Sequence, residues 1–250
     1  MTTPTIIDAV ARTELAPRGR LRAGVIRAPE AGVFFVAVGE DGAPHGVTAD
    51  IFLALGGTLG LAVDFGVFPN SGECTDALAR GEIDVAFMPV DDIRRAKVAF
   101  GPAYYLLRST FLIAGSAASR TIAEYRERGK AFVGIAGTTT LRAAIRTFGG
   151  ERASEARDVD EAVARFGHGA VDAIALSEDY LRAVQPCFPG SVVMEDAFQE
   201  TSISIAVPKD RPQASALVAE FLETAKAAAA IRRIFDGRGL AGEPVAPRGV

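Results

Sequence analysis

Two adjacent arginines, Arg94 and Arg95, stand between a strand-like apolar run and an aromatic pair in the segment GEIDVAFMPVDDIRRAKVAFGPAYY (residues 81–105). A guanidinium so close to buried chain must be paired, solvated or ready for an anion, because burying it alone is costly. In one interpretation, both arginines pair with Asp91 and Asp92 on a solvated turn. In the other, one arginine binds a carboxylate bidentately at the carboxyl end of a strand, where open α/β sheets bind ligands. Spacing alone does not choose between them.

A second candidate site is the segment GIAGTTTLRAAI, which follows a predicted strand and opens a predicted helix. The amides of Gly137, Thr138 and Thr139 would be unpaired donors with hydroxyls beside them, which favours anion binding. The alternative is that Thr138 or Thr139 only caps its helix. Because no lysine completes a GxxxxGK[ST] loop, nucleotide binding has no support.

Phe34 and Phe35, in the segment AGVFFVAVGEDG, form core or a stacking wall for a ligand. If this segment is a strand, one ring should point inward and the other outward. The sequence contains no GxSxG, HExxH or GxGxxG motif. Nucleophilic hydrolases, zinc proteases and dinucleotide enzymes therefore have no motif support.

Composition narrows the class of protein further. The 250 residues carry 27 basic and 31 acidic side chains, a net charge of −4, with no tryptophan. This balance argues against a nucleic-acid partner. Cys74, Cys187, His45 and His168 lack metal-ligand spacing, so we expect no metal and no cofactor, and free thiols instead of a disulfide.

The elements that must position these residues follow an α/β pattern. Short β-rich runs alternate with helical patterns up to about IDVAFM, and the same alternation restarts after STFLIAG. Such alternation predicts parallel strands with crossover helices, here in two lobes. An alanine-rich pattern from Pro212 to about Phe235 predicts one closing helix.

The amino terminus predicts a short amphipathic helix with Thr5 as N-cap and Asp8 three residues on, packing Ile6, Ile7 and Val10 on its own body or on a second subunit. We therefore expect a monomer or a homodimer through this helix. The segment lacks the basic n-region, apolar h-region and cleavage site of an export signal, which predicts the cytoplasm. No apolar stretch reaches the length of a membrane span.

A family resemblance extends from Gly19 to about Phe235. It rests on the order and spacing of GRLRAGV, DGAPHGVTADIFLALGGTLGLAVDF, ALARGEIDVAFMPVDDIRRAKVAFGPAYY, FVGIAGTTT, GAVDAIALSEDYL and ISIAVPKD. These segments resemble the family 3 periplasmic solute-binding proteins, the polar amino-acid binders of ABC transporters. The resemblance implies a type II periplasmic-binding-protein fold with two α/β lobes, a ligand cleft and two hinge crossovers near STFLIAGS and SISIAVP. Lobe 1 would comprise residues 1–110 and 206–250, and lobe 2 residues 111–205.

The resemblance also assigns roles to single residues. The family arginine that binds the ligand's α-carboxylate stands six residues before a phenylalanine, which here is Phe100, so Arg94 matches it and Arg95 should face solvent. Gly137, Thr138 and Thr139 match the family's second set of carboxylate donors. The chain departs from the family where an aspartate usually binds the α-ammonium: Ser177 stands there, with Glu178 beside it.

The function implied is capture of a small carboxylate-bearing solute, an amino acid or a related organic acid, between two closing lobes. A permease of an ABC transporter is then a candidate partner, and a truncated start would place the protein in the periplasm. The alternative is a cytosolic dehydratase of cyclohexadienyl or chorismate type on the same scaffold, with Glu178 or Glu200 as proton donor. A cytosolic sensor whose amino-terminal helix contacts a partner is a third interpretation.

Overall fold

The structure is a computed structural model that describes residues 9–115, 121–128 and 130–250. Most of the predicted amino-terminal face, Thr5 to Asp8, lies outside these ranges. Helix α1 buries Ala11 and Leu15, whereas Val10 is 64% exposed in the single chain. Packing of Val10 on a second subunit stays a prediction. Within the described ranges, no helix combines the length and the apolar character that crossing a membrane requires.

The first half of the chain alternates strands and helices as the sequence predicts. Its elements are α1 (Ala9–Leu15), β1 (Leu21–Ile26), β2 (Ala37–Val38), β3 (Pro44–His45), α2 (Val47–Leu59), β4 (Val63–Phe68), α3 (Ser71–Ala79), β5 (Val85–Pro89), α4 (Asp92–Arg95) and β6 (Val98–Ile113). Every residue of β5 is buried, as expected for a strand covered on both faces.

The second half repeats the alternation. Its elements are α5 (Ile122–Arg128), β7 (Phe132–Ile135), α6 (Thr139–Phe148), β8 (Ala153–Ala156), α7 (Val159–Gly167), β9 (Ala173–Ser177), α8 (Glu178–Val184), β10 (Val192–Val193), β11 (Gln199–Pro208), α9 (Pro212–Ala227) and α10 (Ala230–Gly237).

The sheet topology has the same plan in both halves. In the first, β1 lies between β4 and β5, parallel to both; in the second, β7 lies between β8 and β9, again parallel to both. The long strands β6 and β11 pair antiparallel in the middle, giving the order β4-β1-β5-β11-β6-β9-β7-β8. These two strands contain the predicted crossovers, so this is the two-lobed α/β fold expected. The residue boundaries of the two lobes remain a prediction.

Each half has its own aromatic core. Phe52 stacks on Phe87 in the first half, with ring centroids 4.8 Å apart, and Phe111 stacks on Tyr125 in the second at the same distance. Such buried aromatic pairs stabilise beyond the area they bury. Each half is therefore packed well enough to hold its side of a cleft.

The predicted closing helix is two helices, which corrects the sequence prediction. Helix α9 ends at Ala227, and Ala229 has a left-handed backbone (φ +55°) before α10 begins. The break lets α10 bury Ile231 and Phe235. A run of alanines hides such a break because every alanine favours helix.

Candidate ligand-binding cleft

Two helix-opening turns face each other across the middle of the molecule. One follows β4 and includes Ser71 and Gly72, the first residues of α3; the other joins β7 to α6 and contains Gly137. A Cβ atom on Gly72 would lie 3.2 Å from the Cα and from the carbonyl oxygen of Gly137, so the two backbones touch. Gly137 also has a left-handed φ of +71°, which disfavours any side chain there.

The turn that carries Arg94 is held by Asp91. The Asp91 carboxylate caps α4 by accepting a hydrogen bond from the Arg94 amide at 2.8 Å. The other Asp91 oxygen pairs with Arg142 on α6. Asp91 is therefore engaged with the backbone and with another arginine, and it does not neutralise the Arg94 guanidinium, as the solvated-turn interpretation would require.

The Arg94 side chain is only 2% exposed and lies between the two halves. It donates hydrogen bonds to the Pro89 carbonyl (2.8 Å), the Ser71 hydroxyl (2.7 Å) and the Gly137 carbonyl (3.0 Å). All three acceptors are neutral, and within the part of the chain that the structure describes no carboxylate forms an ion pair with this guanidinium.

Burial lowers the pKa of Arg94 to about 10, although the nearby Asp91 charge opposes the shift. Arg94 is thus a cation at neutral pH, and its surroundings disfavour its charge. Arg95 faces solvent as predicted and lies over the Phe100 ring at 5.8 Å from the centroid. The structure separates the two arginines clearly: one is buried in the cleft and the other is on the surface.

A cavity of about 30 Å³ lies between the two halves. That is room for about two water molecules. Arg94 is not among its lining residues, but it hydrogen-bonds to two of them, Ser71 and Pro89. The cavity wall is mostly apolar, with a few hydroxyl and amide groups. The lining residues are Ile26, Phe34, Phe35, Asn70, Ser71, Pro89, Leu107, Ile135, Thr138, Thr139, Thr140, Leu176 and Ser177.

Phe34 and Phe35 both line this cavity and both are buried, so the expectation of one inward and one outward ring is wrong. The reason is local: the Gly32 amide bonds to the Phe35 carbonyl at 3.1 Å, which makes the segment a turn, and strand alternation does not apply. Phe35 also meets the Tyr180 ring edge to face at 5.3 Å.

The three threonines that open α6 have different hydrogen bonds. Thr138 caps the helix: its hydroxyl accepts from the Leu141 amide (3.2 Å) and donates to the Ile135 carbonyl (2.7 Å). Thr140 bonds to Ser109 at 3.0 Å. The Thr139 hydroxyl is buried with no hydrogen-bond partner among the described residues. The capping alternative therefore holds for Thr138 and leaves Thr139 available to a ligand.

Ser177 ends β9 and is 3% exposed in the cavity wall. Its hydroxyl, like that of Thr139, is buried without a partner in the described part of the chain. Buried hydroxyls are nearly always hydrogen-bonded in folded proteins. The hydroxyls of Thr139 and Ser177 can therefore bond to a ligand or to water inside this cavity.

The acidic candidates lie elsewhere. Glu178 is absent from the cavity wall; its carboxylate pairs with Arg182 at 2.6 Å and with Arg108 at 3.3 Å. Glu200 is exposed on β11. Neither glutamate of the dehydratase interpretation reaches the cavity in this geometry.

Further contacts tie the two halves together around the cleft. Arg27 pairs with Asp160, and Asn70 donates to the Arg157 carbonyl at 3.0 Å. Asp179 accepts from the Val33 amide at 3.0 Å. Together with the Asp91 pair, these contacts hold the halves closed over the cavity.

Sequence reasoning missed Asn70 and Ser71. Asn70 caps α3 by accepting from the Glu73 amide at 2.9 Å, and Ser71 is the hydroxyl partner of Arg94. The segment FPNSGEC places an Asn-Ser pair between a strand and a helix. The argument applied to Gly137 and Thr139 would have identified this turn as well.

Comparison with protein families and solved structures agrees with the fold. The model of the bacterial extracellular solute-binding proteins, family 3, matches residues 31–237. A mutant of ArgBP from T. maritima is 20% identical with a TM-score of 0.78, and the alignment covers 91% of this chain and 98% of that one. A search of curated sequences found no match.

Two other solved structures are similar to this chain. The solute receptor for L-cysteine of Neisseria gonorrhoeae has 18% identity and a TM-score of 0.78, with 91% of this chain and 92% of that chain covered. A binding component of an ABC transporter from Wolinella succinogenes, complexed with lysine, has 17% identity, a TM-score of 0.76, and coverage of 88% and 95%.

Proposed function

We propose that this chain, which belongs to family 3 of the bacterial extracellular solute-binding proteins, binds an amino acid or a related organic acid by its carboxylate in the cleft at Arg94. The observation that carries the proposal is a buried cation whose hydrogen bonds all go to neutral oxygens. Leaving a buried charge uncompensated costs free energy, which a carboxylate ligand would recover.

The carboxylate would bond to Arg94 on one side and to the opening turn of α6 on the other. In the closed geometry one Arg94 nitrogen is engaged by the Gly137 carbonyl, so opening of the cleft releases that donor for the ligand. The amides of Thr139 and Thr140 have no carbonyl partner one turn earlier within their helix and favour an anion. A ligand held by both sides stabilises the closed conformation.

The lobes that close would be residues 1–110 with 206–250, and residues 111–205, connected through β6 and β11. Both strands run through the centre of the sheet and pair with each other. Closure about such connections needs only a few residues to change their backbone angles.

The amino-acid class draws support from the solved relatives, which include a receptor for L-cysteine and a binding component complexed with lysine. The family is described as extracellular, and one relative is a component of an ABC transporter. We therefore propose that the chain acts outside the cytoplasm and delivers its solute to a membrane permease.

Native mass spectrometry of freshly purified protein tests the proposal. The intact protein should carry a small molecule that denaturation releases, and that molecule should contain a carboxylate. Arg94→Ala should lose the bound mass, whereas the surface control Arg95→Ala should keep it. Release of a ligand without a carboxylate, or equal retention by both variants, would contradict the proposal.

A further inference from the structure

The charges around the cavity differ from what a zwitterionic ligand needs. Two ionised side chains reach residues of its wall: Arg94 bonds to Ser71 and Pro89, and the exposed Glu73 carboxylate accepts a hydrogen bond from the Asn70 side-chain amide at 3.0 Å. The other polar groups of the wall are neutral hydroxyls and one amide, and none of the described lining residues carries a carboxylate.

The acidic groups nearby are engaged elsewhere. Asp91 bonds to the Arg94 amide and to Arg142, and Glu178 to Arg108 and Arg182. Asp179 keeps one buried oxygen without a partner, but its other oxygen accepts from the Val33 amide, and the side chain lies against Gly32, outside the cavity wall. Because Glu73 is exposed and bonded to Asn70, Asp179 is the acidic side chain that a test must exclude first.

An α-ammonium group would enter this cavity as a second cation beside Arg94. Burying a cation without a carboxylate costs far more than burying a neutral polar group. The carboxylate of the ligand is already matched by the guanidinium. The balance of charge therefore favours a ligand with one negative charge and no positive one.

The two buried hydroxyls without partners favour an oxygen, in place of an ammonium group, as the α-substituent of the ligand. The hydroxyls of Thr139 and Ser177 each lie in the wall with no partner among the described residues. A hydroxyl both donates and accepts, so it matches a neutral oxygen on the ligand, whether carbonyl or hydroxyl. Ser177 stands on β9 and Thr139 on α6. Both donors therefore belong to the second half of the chain and face the ligand from that side.

The rest of the wall is apolar. Ile26, Phe34, Phe35, Leu107 and Ile135 offer no polar side-chain atom to a ligand. The closed cavity has room for only about two water molecules, so a ligand binds as the cleft opens, and the apolar wall then favours a short aliphatic side chain over a charged or long polar one.

We infer that the ligand is a small α-hydroxy or α-oxo monocarboxylate with a short aliphatic side chain. Its carboxylate bonds to Arg94 and its α-oxygen bonds to Ser177 and Thr139. The inference rests on the proposed function, since it specifies the ligand of the same cleft.

Calorimetric titration with matched ligands tests the inference. L-lactate and pyruvate are compared with L-alanine, and α-hydroxyisovalerate and α-oxoisovalerate with L-valine, so that only the α-substituent changes. We expect one of the oxygenated acids to bind about tenfold or more tightly than its amino-acid counterpart, because only the ammonium leaves a buried charge unpaired. Tighter binding of the amino acids, or no binding of any oxygenated acid, would overturn the inference.

Ser177→Asp should reverse the preference. The new carboxylate would pair with an ammonium and repel an anionic ligand, so amino-acid binding should rise and binding of the oxygenated acids should fall by about tenfold or more. Ser177→Ala is the matched control for size and should weaken the oxygenated acids without admitting amino acids. Thermal unfolding of each variant checks that the fold is retained.

Asp179→Asn tests whether the Asp179 carboxylate binds the ammonium group of an amino-acid ligand. If the wild type binds amino acids and Asp179→Asn abolishes that binding, Asp179 serves the ammonium and the inference is overturned, while the carboxylate function at Arg94 stands. If denaturation of the native protein releases a ligand without a carboxylate, the proposed function falls and the inference falls with it.

Discussion

Two clusters are built around arginine side chains, one at Asp84 and one at Arg94, and they differ in what meets the positive charge. Asp84, which is fully buried, accepts hydrogen bonds from Arg22 at 2.6 and 2.9 Å and from Arg211 at 2.8 Å. Arg94 is equally deep but meets only the oxygens of Pro89, Ser71 and Gly137.

This difference separates a structural charge from a functional one. At Asp84 the carboxylate ties β1 and β5 to the start of α9, so the protein itself supplies both signs of charge. At Arg94 the protein supplies only the cation. A buried ion pair with one partner removed is strongly unfavourable, and a ligand carboxylate would complete the pair at Arg94.

Asp84→Asn should have the largest effect on folding. The amide leaves two arginines facing a buried neutral group, and we expect a loss of about 3–5 kcal/mol in the free energy of unfolding. Urea denaturation measures this loss. Asp64→Asn is the matched control, because Asp64 pairs with Arg20 on the exposed surface and should cost about 0–1 kcal/mol. Equal losses in the free energy of unfolding for the two variants would contradict a special structural role for the buried Asp84 cluster.

Thr139→Val tests whether the ligand at Arg94 also bonds to α6 on the other side of the cleft. The Asp84 cluster has no such ligand, so no equivalent effect is expected there. The substitution keeps the shape and removes the unsatisfied hydroxyl, so ligand affinity should fall by about 1–3 kcal/mol with no loss of stability. Calorimetry and thermal unfolding give the two values. An unchanged affinity would mean that Thr139 only starts its helix.

Arg94→Met should cost the unliganded fold about 1–3 kcal/mol, less than Asp84→Asn, because it leaves the Pro89 and Gly137 carbonyls without their donor. Methionine fills most of the same volume and removes a buried charge that has no carboxylate partner. Urea unfolding without ligand is the measurement. A loss as large as that expected for Asp84→Asn would show that Arg94 is structural.

The Asp91 and Arg142 pair gives the smallest effect, and it depends on pH. Burial opposes the charge on Asp91, but the Arg94 amide and the Arg142 side chain outweigh burial and lower the pKa of Asp91. A lowered carboxylate pKa contributes stability at neutral pH that is lost as the pH falls through the folded-state value. Arg142→Gln should therefore cost about 0.2–1 kcal/mol at neutral pH and little once the pH lies below the lowered pKa of Asp91, which is under 3.8. A loss of stability in Arg142→Gln that persists in acid would show that it does not come from the ion pair with Asp91.

Much of the fold and the central arginine could be predicted from the sequence. Alternating strand and helix patterns gave both lobes, because each element must bury one face. The distance from Arg94 to Phe100, read through the family resemblance, distinguished Arg94 from Arg95, which composition could not do.

The errors came from features that local patterns do not contain. Phe34 and Phe35 lie in a turn set by a backbone hydrogen bond from Gly32, so a strand rule failed there. The break at Ala229 depends on where α10 finds buried contacts. Glu178 stands next to Ser177 in the sequence, but its carboxylate pairs with Arg108 and Arg182 outside the cavity wall. Arg108 is distant in sequence, so this pairing could not be predicted from the local pattern.

The central claim is that Arg94 binds the carboxylate of the ligand, and calorimetric titration of Arg94→Met beside Arg95→Met tests it most directly. The titrant is the acid released from the native protein. We predict that Arg94→Met loses about 2–5 kcal/mol of binding free energy, because the anion loses a charge-assisted bidentate partner, and that Arg95→Met binds as the wild type does. Equal affinities, or a larger loss for Arg95→Met, would contradict the claim.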